Sequence, residues 1–213
     1  MTLTHFETNL YQKLTPFFDE QQFALLPEKK QYRKTTATGF QNSILSPAFY
    51  GAETLLDVNF GCRNEQVEQI AQQFLNNLAD FRIDANTLIV SIGKFRNIPY
   101  FRYKIATDEQ FDVACADIQD FFVESGFALM QQASTMQGID ALLNEQPNQP
   151  SRYVYNQTHR CYKGLIAARL SHNARFDGLV DSYRHQLTKL SQNPYEQINY
   201  ERLVSYLLHY SAN

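Results

Sequence analysis

The sequence predicts an α+β fold: a mainly antiparallel sheet of about five strands, with helices packed on one face and a helical C-terminal part. Three observations carry this. Strand-like alternation is confined to the first half of the chain. It is clearest in ETLLDVNFGC (53–62), where Leu56, Val58, Phe60 and Cys62 fall on one face and Asp57 and Asn59 on the other. Beyond residue 107 the apolar residues recur at helical spacing. With 213 residues, 44% of them hydrophobic, the chain buries a sizeable core. The polar stretch QPNQPS (146–151), with two prolines, marks the best linker. It separates an α+β part, 1–145, from a helical part, 152–213, expected to pack on the first as one unit.

The elements follow in order. Thr4-x-x-Glu7 is a capping box, and Phe6, Leu10, Leu14 and Phe17 continue at helical spacing, predicting a helix over 5–24 that stops before Pro27. QYRKTTAT, FQNSILS and ETLLDVNFGC read as three strands, punctuated by Gly39 and by a turn between Pro47 and Gly51. Asn64 is an N-cap for an amphipathic helix carrying Val67, Ile70, Ala71, Phe74, Leu75 and Leu78, to about residue 79. NTLIVSIGKF and YFRYKIA read as two more strands. Thr107-x-x-Gln110 is a second capping box, and Phe111, Ala114, Cys115, Ile118, Phe121 and Phe122 line the buried side of the next helix, with Gly126 as its C-cap. A short helix centres on MQGIDALLNE. Helices over 158–171, 174–191 and 195–210 complete the chain, the last opened by Asn193-Pro194.

This order, with DVNFGCR leading into a helix and a late helical region, resembles uncharacterised bacterial α+β domains, some of them suspected toxin-immunity proteins. The resemblance lies in layout across most of the chain and carries over no functional residue. It implies a protein that neutralises a target by binding it.

The function classes narrow next. A formal charge of −3 argues against nucleic acid as the partner. No apolar run reaches membrane-spanning length, and the first residues lack an apolar core of signal-peptide length, so a cytoplasmic location without membrane attachment is expected. Three cysteines, far apart and odd in number, suit free thiols in a reducing compartment. No nucleophile-elbow, zinc-protease, phosphate-loop or dinucleotide-binding pattern occurs. The sequence therefore assigns no catalytic residue, no metal and no cofactor. Cys62, placed before a helix start and followed by Arg63, falls on the core face and reads as a buried thiol. His159 and Cys161 sit at a helix start, and His172 and His185 on the helices that follow. If these polar groups converged, they would line a cleft for a small-molecule binder or hydrolase, the alternative to a binding protein. Asp177 and Asp181 share a helix face.

GKFRNIPYFRYK (93–104) carries the candidate interface. A hairpin with a three-residue turn, Asn97-Ile98-Pro99, pairs Arg96 with Tyr100 and Lys94 with Arg102, and puts Lys104 on the same exposed face. Phe95 and Phe101 then point to the core. Lys94, Arg96, Tyr100, Arg102 and Lys104 are the predicted partner-binding residues, and an acidic protein is one partner they would suit. Like charges placed directly opposite need a negative neighbour. Asp57 or Glu53 of an adjacent strand is the internal source, and PEKKQYRK (27–34) would extend the basic face if its strand lay alongside.

Overall fold

A computed structural model describes residues 3–191 and 193–210. The fold is α+β, with a mostly antiparallel open sheet and a helical C-terminal part. The chain forms two compact units. The first comprises Met1–Cys62 and Ile89–Gln131, and the second Arg63–Leu88 and Gln132–Asn213. The proline-containing stretch 146–151 lies inside the second unit.

The first unit opens with α1 (His5–Glu20), whose capping box is complete. Glu7 donates its N–H to Thr4 Oγ1 at 3.2 Å, and Thr4 donates its own to Glu7 Oε2 at 2.9 Å. The helix ends before the predicted limit because Gln22 takes a left-handed backbone (φ 66°) and reverses the chain. Ala24–Leu26 then pairs as β1 with β2 (Gln31–Thr36), in the register Leu25↔Tyr32. Helical spacing alone could not reveal this strand, since its partner lies beyond Pro27. β2 pairs with β3 (Gly39–Tyr50), and β3 lies beside β4 (Glu53–Asn64). Pro47 sits within β3, so the turn is made at Gly51 (φ 60°) and not between the two. The alternation predicted for β4 holds: Leu56, Val58, Phe60 and Cys62 are all buried.

α5 (Asp108–Phe121) packs its predicted face inward. Its second capping bond differs from a box, since Gln110 Oε1 accepts from Ala106 and not from the cap residue. Gly126 does not end this helix. A π-helical turn, Phe122–Gly126, joins it to α6 (Phe127–Gln132), and the wider turn lets consecutive Phe121 and Phe122 both enter the core. Phe18 lies at the centre of that core, stacked on Tyr32 at 4.2 Å and edge-on to Phe122 at 5.1 Å.

The second unit begins with α2 (Glu65–Ala71), N-capped by Asn64 as predicted. α2 is shorter than its pattern, and Leu78 is exposed. α3 (Ala79–Arg82), α7 (Met136–Asn144), α8 (Gln157–Leu170), α9 (Phe176–Leu190) and α10 (Pro194–His209) complete it. α8 is buried on all sides, Arg160 and Lys163 included. Val67, Ile70, Leu165, Ile166, Tyr183, Leu203 and Leu207 form this unit's core. Among the described residues, no helix is long and apolar enough to cross a membrane.

Candidate functional site

The segment predicted as a hairpin is not one. β5 covers Leu88–Ser91, a single helical turn, α4, covers Ile92–Phe95, and β6 is Tyr103–Ile105. Both strands pair with β4 instead of with each other. The β6 register is Thr54↔Ile105, Leu55↔Lys104 and Leu56↔Tyr103. Local chemistry explains the difference. Ser91 Oγ accepts the Lys94 N–H at 3.2 Å, an N-cap that starts the helical turn. Ile92 and Gly93 are then buried in succession, which a strand with one wet face does not allow. Gly93 is needed there, because a Cβ would lie 2.5 Å from Phe101 Cβ. The chain turns back through Asn97 and Tyr100, both left-handed at φ 58°.

The five predicted interface residues consequently do not share one exposed hairpin face. Lys94 does not oppose Arg102. It is half-buried, and burial lowers its ammonium pKa. Arg96 does not face Tyr100. Its guanidinium forks onto Asp117, with Nη1 and Nη2 donating at 2.7 and 3.1 Å, and lies 5.2 Å from the centre of the Phe121 ring. Lys104 reaches Glu53 at 3.3 Å, so this acid of the neighbouring strand serves Lys104 and not the expected Lys94–Arg102 pair. Arg102 is exposed, and Tyr100 fully so. The 27–34 cations do not extend a basic face, since β3 and β4 lie between β2 and β6. Lys30 instead pairs with Glu7 at 2.7 Å, and Lys34 donates to the Gln21 carbonyl at 3.2 Å.

Asp117 is the site residue that sequence reasoning missed, although it lies on a predicted helix. Besides Arg96, it accepts a bond from the Tyr103 hydroxyl at 2.6 Å. Burial by itself would raise its carboxyl pKa, but the bonds from Arg96 and Tyr103 outweigh it and leave the group below its ordinary value. A depressed folded pKa contributes stability above the unfolded value, near 4, and that contribution disappears as pH falls through the folded value. Asp117→Asn is therefore expected to cost about 1 kcal/mol at neutral pH. The cost should shrink as pH falls through the folded value, and urea denaturation at neutral and at acidic pH measures it.

Beside this cluster runs an open groove of about 430 Å³. Arg96, Phe101, Tyr103 and Lys104 form one wall, and Glu109, Gln110, Val113 and Ala114 of α5 the other.

The polar groups named for a cleft in the helical region do not converge. Cys161 is fully buried, and burial pushes its thiol up to about 12. His159 lies near Lys163 and Glu68, and its imidazole pKa is lowered by burial and by the Lys163 charge. His172 is exposed at the left-handed end of α8, and His185 is exposed on α9. Asp181 and Glu201 both pair with Arg184 at the surface. Cys62 is buried as predicted, and burial raises the Cys115 thiol to about 11. Among the described residues, no group of three His, Cys, Asp or Glu side chains could hold a metal. No protein-family model, curated protein or solved structure matches the chain.

Proposed function

We propose that this chain is a non-catalytic protein-binding domain that acts on its target by covering it, as an immunity-type inhibitor does, and that residues 96–102 are its recognition element. Tyr100 carries the reading. A left-handed backbone costs a residue bearing a side chain roughly 1–2 kcal/mol. Tyr100 is 102% exposed, so no intramolecular burial offsets that cost. A strained aromatic displayed to solvent suits a contact made with another molecule. Ile98 is exposed beside it, and Arg102 follows. Tyr and Arg are the residues that dominate interface energetics once desolvated. Pro99 and the bond from the Ile98 N–H to the Gly93 carbonyl, 2.9 Å, stiffen the loop and reduce the entropy lost on docking. The dispersal of His159, Cys161, His172 and His185 supports binding over hydrolysis, because a nucleophile needs an adjacent base. Three buried thiols suit a reducing cytoplasm.

Affinity capture from an extract of the producing cells, with wild type and Tyr100→Gly as bait, tests this. The wild type should retain a protein that the variant releases. Capture of nothing, or equal recovery by both baits, contradicts the proposal.

A further inference from the structure

We infer that the groove between β6 and α5 receives a cationic amphipathic helix of the partner protein. This rests on the binding reading above and gives the partner its chemistry. The signs of charge around the groove decide it. The cations on its β6 wall are already matched: Arg96 by Asp117 and Lys104 by Glu53. On the α5 wall Glu109 adds an acid beyond Asp117, and the rest of the helix is acidic as well. α5 holds Asp108, Glu109, Asp112, Asp117 and Asp120, and neither Lys nor Arg. Asp112 pairs with Lys13 at 2.8 Å. Among the described residues, no cation pairs with Asp108, Glu109 or Asp120.

The arrangement along the helix adds shape to charge. Glu109, Val113, Ala116 and Asp120 follow at intervals of four, three and four residues, so they form one exposed stripe. Its centre is apolar or small, with Val113 65% exposed, and an acid stands at each end, roughly 16 Å apart. Glu109 and Val113 also line the groove, and Phe101 contributes apolar surface from the opposite wall. A helix presenting apolar residues between terminal lysines or arginines matches this stripe in both sign and spacing. An acidic partner helix would meet uncompensated like charge. The Asp108 and Glu109 carboxylates also favour the start of α5 itself, which explains their presence there but not the exposed valine or the acid at the far end.

A fluorescent lysine–leucine amphipathic peptide serves as the probe, with its glutamate–leucine counterpart as control, measured by anisotropy. The lysine peptide should bind and the glutamate peptide should not. Glu109→Lys/Asp120→Lys should weaken binding about tenfold or more, equivalent to roughly 1.4 kcal/mol. Val113→Asp should weaken it as well. Glu20→Lys/Glu28→Lys makes the same change of net charge at exposed positions outside the groove and should have little effect. Circular dichroism verifies that each variant is folded. The inference is overturned if the lysine peptide does not bind, if both peptides bind alike, or if both double variants lose affinity equally. A cellular partner that requires Tyr100 but ignores the charge of α5 would sink this inference and leave the binding proposal standing.

Discussion

Arg160→Met is expected to lower stability by about 3–5 kcal/mol. Arg160 is 1% exposed, and its guanidinium is held by backbone carbonyls. Nε and Nη2 donate to Leu143 O at 3.0 and 2.8 Å, and Nη2 also to Gln146 O at 2.9 Å. Nη1 donates to Gln149 O at 2.5 Å and, at a longer 3.4 Å, to Pro147 O. These are carbonyls at and beyond the C-terminal end of α7, where a helix runs out of internal donors. One buried side chain thus ends α7 and shapes the loop after it. The guanidinium also lies 5.4 Å from the centre of the Tyr183 ring. Methionine fills similar space but leaves four acceptors without this donor. Arg160→Lys keeps the charge, yet three donors on one nitrogen cannot span the same carbonyls, so it should recover only part of the loss. Urea denaturation measures both. A cost below about 1 kcal/mol for Arg160→Met would mean that the loop finds other donors at little penalty.

The second large effect lies at Glu68. Its side chain is 0% exposed and accepts from Lys163 Nζ at 2.8 Å, Thr87 Oγ1 at 3.0 Å and Gln72 Nε2 at 2.8 Å. Lys163 also donates to the Asn86 carbonyl at 2.6 Å. Removing one member of a buried ion pair strands the other in a poor solvent, so Glu68→Leu or Lys163→Met alone should cost about 3–5 kcal/mol. The double variant should cost much less than the sum, because no charge is then left buried. Additive costs would show that the two charges do not share one network.

Both predictions concern α8, and α8 shows how far the sequence could be read. THRCYKG was legible as a helix start with a packed cysteine, and Asn156 supplies the N-cap. The burial of Arg160 and Lys163 was not legible. Periodicity finds the boundary between a wet and a dry face, and a helix covered on all sides has no such boundary. The sheet divides in the same way. The period-two pattern of β4 announces itself because one face is apolar. β1 is only three residues long, and its existence depends on a partner across a turn. Capping signals fared best, since each rests on atoms within three or four residues: Thr4, Asn64 and Asn193 all accept the expected N–H. The 88–106 segment misled because its alternation fits a hairpin as well as it fits two short strands on one long neighbour. The length of β4, twelve residues, decides between them, and that is a non-local fact. Of the candidate site, the exposure of Tyr100 and Arg102 was legible; Glu53 was expected beside Lys94 and Arg102, and it pairs with Lys104 instead. The Arg96–Asp117–Tyr103 cluster was not, because it joins residues 14 to 21 apart through the packing of α5.

Everything functional turns on whether the strain at Tyr100 is retained for recognition. Tyr100→Gly measures this most directly, because glycine adopts the left-handed region without penalty and removes the displayed ring. Denaturation and capture on the same preparation should show a variant about 1 kcal/mol more stable than wild type that no longer retains the partner. A variant that is less stable, or one that still holds the partner at wild-type yield, would contradict it.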